Sequence, residues 1–384
     1  MKFTVDRADF CNAFKLAFTA VKNTSFHKLT GVYLSADADR GTVQLIGTDM
    51  ITSVIKRIKD VQVNIGGEVI VPGIVLEILR RSKDKSVTLE TDENNVLRLS
   101  FGGSRYDLPT KPVGEFPKAD ISFPTAYVSV TGLLPFINHA SFAAETKGED
   151  RQLQGVKIRL TTGTSTAEAM NQKRMALSVG IGVADGEIEM SLHISAVHIL
   201  TALINDGMTV CVGIAGKKAV FVCGDTVFST VMMNNSTPDM NAFIQKLSPD
   251  YSAEAGAKEL LRAIETATVC QLSGDDRCIN ICLTPTGIKL SCAAYGRTGA
   301  AFVPTLCASP TPENGFHYEP QIILDFLRVA VGSVTLGIDK RGFMLLSCSR
   351  CKYIVTPRTP VKIVKPKEKA EKPPKEKKHK KKAA

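Results

Sequence analysis

The 384 residues carry 48 Lys and Arg against 38 Asp and Glu, a formal charge of +10, with 44% hydrophobic residues. That apolar share supports two or three cores in a chain of this length and excludes a wholly disordered polymer. No run of 18 apolar residues and no signal-like apolar stretch near the amino terminus occur, so the expectation is a cytoplasmic chain with no membrane partner.

The chain opens with a strand, Phe3-Thr-Val5. Asp6 then precedes a helical pattern in which Phe10, Phe14, Ala17, Phe18 and Val21 share one face. Strands GVYLSAD, GTVQLIGTD and ITSVIKRI follow. Residues 69–101 then read as strand, one-sided helix and two strands joined by a polar turn. The same order returns in 192–222 and 317–346. Leu79, Leu203 and Leu327 each end the helical apolar run, and strands follow from Val87, Val210 and Val334. A spacing of about 124 residues is far longer than a solenoid unit, so each repeat is a whole domain.

The second unit has AYVSV, a helix around GLLPFINHASFAAE, then GVKIRL, STAEAM and MALSVGI. The third has a helix in AGAKELLRAIETATV, then CINICL, GIKLSC and GAAFV. The Pro-containing stretches 116–124 and 236–250 mark boundaries. The expected division is 1–122, 123–248 and 249–358, followed by a tail, 359–384. Two helices per unit with hairpin-like strand succession indicate an α+β class, helices packed on antiparallel sheets. Such an array has two open ends, and head-to-tail pairing of copies closes a ring.

Charge is placed unevenly. From Thr359 onward there are 11 Lys and 3 Glu, so the preceding body has a net charge of only +2. The tail is too poor in apolar residues to build a core and is expected to be disordered. Most of the ten cysteines fall in apolar strand runs, where reduced Cys acts as a small core residue. Cys348 and Cys351 form one CxxC with no second CxxC or His pair to complete a zinc set, so no metal or other cofactor is assigned. There is no P-loop, GxSxG, HExxH or acidic triplet, and no catalytic residues are assigned.

MKFTV-D-R at the start, GTDM (47–50), VIVPG-x6-LR (69–80), SRYDLPTKPVGEFP (104–117), LQGVKI (153–158), TPD (237–239) and YIVTP (353–357) together resemble the β sliding clamp of bacterial DNA polymerase III, over residues 1–358. A cellular and a viral source fit the residues equally. The resemblance implies a head-to-tail homodimer, a six-domain ring whose helices line a channel around double-stranded DNA. Its implied partners are a replicative DNA polymerase and an ATP-driven clamp loader. The clamp itself is not an enzyme and acts as a processivity factor in DNA replication.

DNA-facing candidates are Lys15, Lys22, Arg80, Arg81, Arg151, Lys258, Arg262 and Arg328, of which Arg80 and Arg151 match basic positions of the family; an ordinary solvated helix face would hold the same residues. The resemblance implies a partner-peptide pocket at Leu153, Met170, Arg174, Met175, Pro238, Phe243, Ile354 and Pro357. For the dimer interface it implies Arg105 and Tyr106 on one side, and Leu272 is expected on the other. The family's glutamates facing the arginine side are missing from CAAYGRTGAAF, as are its basic residues at the start of the second helix of domains one and two. A different class of protein competes: a non-ring DNA-binding scaffold attached through its basic tail. A redox or metal enzyme using Cys348 and Cys351 would need a low-pKa thiol or bound zinc.

Overall fold

The computed structural model describes residues 1–21, 30–111, 113–117, 123–234, 240–272 and 277–359. The first repeat runs β1 (Lys2–Asp6), α1 (Arg7–Phe18), β2 (Gly31–Asp37), β3 (Thr42–Thr48), β4 (Thr52–Ile58), β5 (Gln62–Ile65), β6 (Gly67–Pro72), α2 (Ile74–Arg81), β7 (Ser86–Thr91), β8 (Val96–Phe101) and β9 (Ser104–Pro109). The second has β10 (Val128–Thr131), α3 (Leu133–Ser141), β11 (Gly155–Leu160), β12 (Thr164–Met170), β13 (Arg174–Ile181), β14 (Ile188–His193), α4 (Ile194–Leu203), β15 (Thr209–Ala215), β16 (Lys218–Cys223) and β17 (Thr226–Val231). A linking helix, α5 (Met240–Lys246), leads to the third: β18 (Tyr251–Gly256), α6 (Ala257–Thr268), β19 (Ile279–Thr284), β20 (Gly287–Ala294), β21 (Arg297–Pro304), β22 (Cys307–Ser309), β23 (Phe316–Tyr318), α7 (Pro320–Val329), β24 (Ser333–Ile338), β25 (Met344–Cys348) and β26 (Cys351–Val355).

The local causes are those the sequence indicates. Asp6 caps α1, its Oδ1 accepting from Ala8 N at 2.8 Å and Asp9 N at 3.0 Å, which satisfies two otherwise orphan donors. The aromatic face of α1 is inside: Phe3, Phe10 and Phe14 are fully buried, and Phe3–Phe10 and Phe10–Phe14 centroids lie 6.1 and 6.2 Å apart. Each such ring contributes about 1.5–3 kcal/mol by burial. Leu79, Leu203 and Leu327, with Val87, Val210 and Val334, are all buried and occupy equivalent places in the three repeats.

Two expectations are corrected. The first helix stops at Phe18, where the Thr19 hydroxyl bonds back to Leu16 O and diverts the chain, so it does not reach Val21. The six helices expected are seven among the described residues. The stretch 236–250, read as a boundary, contains α5, because Met240, Ile244 and Leu247 recur at helical spacing and find a sheet to cover.

Sheet pairing ties the repeats together. The strand orders are β5-β1-β7-β8-β9, β10-β15-β16-β17-β4-β3-β2-β6, β14-β11-β12-β13-β26-β25-β24-β18-β22 and β21-β20-β19-β23. The second sheet is shared by repeats one and two through β17–β4, and the third by repeats two and three through β13–β26. Both junctions are antiparallel. The corresponding edges, β9 in the first repeat and β21 in the third, have no partner on their outer side among the described residues.

Candidate functional site: helix faces, junction cleft and free edges

The basic candidates lie on several elements. Lys15 is exposed on α1, and Arg80 and Arg81 are exposed in the last turn of α2. Glu77 holds Arg80 at 2.9 Å. Lys258 and Arg262 are exposed on α6 beside Glu259 and Glu265, and Arg328 on α7 reaches Asp325 at 3.3 Å and Glu265 at 3.9 Å. Arg151 opens a short 3-10 turn and lies on neither α3 nor α4. Lys22 lies outside the described residues. Neither α3 nor α4 carries a Lys or Arg, so the second repeat offers no helical cation for a phosphate.

At the junction of repeats two and three, strand parity sorts the predicted pocket residues. Met170, Met175 and Ile354 face one side of the shared sheet and join Leu153, Leu177 and three residues the sequence reading missed, Met240, Ile244 and Leu247. Their helical spacing was the available signal. Arg174, adjacent to Met175 on β13, points to the opposite side. Its guanidinium bonds Asp325 Oδ2 and the Phe142 carbonyl, each at 2.5 Å, and stacks over the Phe142 ring at 5.8 Å. It is therefore a strut between repeats and not part of the apolar cleft. Pro357 lines a separate small cavity of ≈ 190 Å³ with Lys173, Glu319 and Ile322. Phe243 is 37% exposed on α5 and outside the apolar cluster, and Pro238 lies outside the described residues.

Two of the interface candidates sit on a free sheet edge and the third follows a helix of the third repeat. Arg105 and Tyr106 are on β9, whose first four residues are all exposed. Arg105 pairs with Asp107 at 3.1 Å and, with Arg98, holds that carboxyl below the usual carboxylate range. Tyr106 is 41% exposed and packs against Phe101 at 5.7 Å. Leu272 is 59% exposed at the other end, just beyond α6, with Val269 78% exposed beside it in sequence. The strand read at GAAFV is β21, which begins earlier, at Arg297, and in which Gly299 lies so close to α6 that a Cβ would fall 2.0 Å from Ala267 O. The CxxC residues face each other across the β25–β26 hairpin. Burial pushes the Cys351 thiol up, the opposite of what a reactive thiolate requires. No cluster of three potential metal ligands occurs among the described residues.

Three repeats of one α+β unit, joined by sheets that run across each boundary and leaving the equivalent edges β9 and β21 unmatched, define a clamp-type architecture. Comparison gives the family. The model of the DNA polymerase III beta subunit N-terminal domain matches residues 1–120. The beta sliding clamp of Micrococcus luteus is 26% identical over 257 residues, 65% of this chain and 82% of that protein. That of Caulobacter vibrioides is 24% identical over 279 residues, 66% and 73% of the two chains. A DNA polymerase sliding clamp from Bacillus subtilis superposes with a TM-score of 0.83 at 18% identity, covering 94% of this chain and 99% of the other. The first 120 residues therefore match the DNA polymerase III beta subunit family, and the whole chain has the fold of the sliding clamps.

Proposed function

We propose that this chain is a DNA sliding clamp of three domains, 1–122, 123–248 and 249–358, which closes head to tail with a second copy around double-stranded DNA, tethers a replicative polymerase, and is opened by a clamp loader in the cytoplasm. The observation that carries the reading is the repeated sheet junction. At β4–β17 Thr226 faces Lys56, and at β13–β26 Cys351 faces Ser178. In both, the first residue after the tight turn of one domain faces the fifth residue of the second hairpin strand of its neighbour.

The same rule applied to the free edges sets Ser104 opposite Ala301, Arg105 opposite Ala300 and Tyr106 opposite Gly299 of another copy. Tyr106 then covers a residue with no side chain, next to Val269 and Leu272, and its buried ring supplies the anchor of the interface. Two such interfaces close a ring and pair both the β9 and the β21 edges.

The proposed partner site is the cleft of Met170, Met175 and Ile354, in which flexible methionines accommodate an apolar peptide. DNA is held by linkage more than by affinity, since only a few exposed cations are available for phosphates. The test is retention on DNA: loaded protein stays on a closed circle in high salt and leaves when the circle is cut. A hold that falls steeply with salt on both forms would mean a non-ring scaffold attached through its tail.

A further inference from the structure

Each domain has an outer sheet face turned away from its helices, and the first two are covered by the chain that leaves that domain. In the first, Tyr33, Ile46 and Ile55 are capped by Val113 and Phe116, which follow β9; Phe116 is 5% exposed and stacks on Tyr33 at 5.1 Å. In the second, Met170, Met175 and Leu177 are capped by Met240, Ile244 and Leu247, which follow β17. The face in register with these on the third domain presents Cys282, Lys289, Ser291, Ala300 and Phe302. It is an open groove of ≈ 1310 Å³. Phe302 remains 47% exposed there, although its ring covers Gly287.

We propose that the groove is a docking site for the chain's own exit segment, residues 360–366. Where the chain leaves decides the occupant. After β26 it is directed to this sheet: Arg358 N–H donates to His317 O on the edge strand β23 at 2.7 Å, and its guanidinium to Arg277 O at 2.6 Å. The next residues, TPVKIVKP, contain Val361, Ile363 and Val364, the only branched aliphatic residues beyond Val355.

A tail serving solely as a solvated lysine brush has no use for three aliphatic residues directly at its root. Val361 and Ile363 fall on one side of an extended segment. Seven extended residues span about 23 Å, enough to cross a four-stranded sheet whose strands are ~4.8 Å apart. Glu313 on the groove wall supplies a carboxylate for a lysine of the docked segment. The docked root fixes where the following lysines emerge, beside β21 and the ring-closing edge.

The experiment places a benzophenone side chain at Ile363 in the otherwise full-length protein and maps photo-crosslinks by mass spectrometry, with isotopically labelled and unlabelled chains mixed. The expected result is a crosslink within one chain to residues 280–313, abolished by Ser291→Arg. Hydrogen exchange of β20 and β21 is expected to quicken in the full chain carrying Val361→Ser, Ile363→Ser and Val364→Ser. Crosslinks to the Met170–Met175 cleft, crosslinks solely between labelled and unlabelled chains, or no crosslink together with unchanged exchange would each overturn the proposal.

Discussion

If Arg105 of one copy faces Ala300 of the next, charge at position 300 must act on ring closure with a predictable sign. Ala300 is exposed on β21, so either a Glu or an Arg is accommodated without disturbing a core. Arg105 has a side chain 57% exposed and already shares Asp107, so surface magnitudes apply, about 0.5 kcal/mol for each new pair. A closed dimer has two such interfaces, about 1 kcal/mol in total, or roughly a fivefold change in the dimer dissociation constant. Ala300→Glu is expected to tighten the dimer about fivefold and Ala300→Arg to weaken it about fivefold, a spread of roughly 25-fold. Sedimentation velocity across a concentration series reads both, and in an Arg105→Ala background the difference is expected to vanish. If the two substitutions shift the equilibrium in the same direction, or their difference survives without Arg105, the register is wrong.

Arg174→Met leaves Asp325 with only Gln321 and Arg328 and removes the strut between domains two and three, for an expected loss of about 3 kcal/mol in urea unfolding. A loss below ~0.5 kcal/mol would place Arg174 in the class of exposed pairs. Asp6→Ala removes the cap of α1 at an expected cost of about 1 kcal/mol, seen as a lowered Tm. Burial, and then the nearby Arg350, hold the His139 imidazole below its ordinary pKa of 6.5. Because its folded pKa is depressed, its contribution is complete above 6.5 and is lost as pH falls through that value toward the folded pKa. His139→Gln is therefore expected to flatten the stability profile on the acid side of 6.5, while an unchanged profile would assign the acid loss to other groups.

The elements were legible where one period ruled a segment. The alternation in GVKIRL and the 3.6-residue pattern around Phe10 and Phe14 both give the observed element, because each segment needs only its own apolar side to choose its form. The recurrence of Leu79, Leu203 and Leu327 gave the domain period for the same reason. Pairing across boundaries was not legible: β4 meets β17 at Thr52 and Thr230, far apart in sequence, and nothing local in either strand names its partner. Arg174 shows a finer failure. A pocket carried over residue by residue includes a contiguous run, but a strand sends neighbours to opposite faces, so Arg174 and Met175 could not both line one apolar cleft. Helix α5 was not legible because Met240, Ile244 and Leu247 give only two turns of periodicity, inside a stretch that carries a Pro boundary signal.

Charge placement gives the strongest constraint on how this clamp holds DNA. The helices of the second domain contribute no Lys, Arg, Asp or Glu, and in the third each basic residue on α6 or α7 has an acidic one on the same helix. Apart from Lys246 on the linking helix α5, the positive excess of the helices is confined to α1 and α2, and part of it is engaged: Arg7 reaches Leu79 O and Asp84 O, and Arg80 reaches Glu77. An affinity built on such a surface is weak and nearly insensitive to salt, since few counterions are released. Weak contact is compatible with stable association only if dissociation requires opening the ring, so topology must supply what charge does not. Under the proposed function the lysines after residue 360 would act on a different step, raising the local concentration of the open form near DNA, and their removal is expected to slow loading without shortening the lifetime of the closed complex.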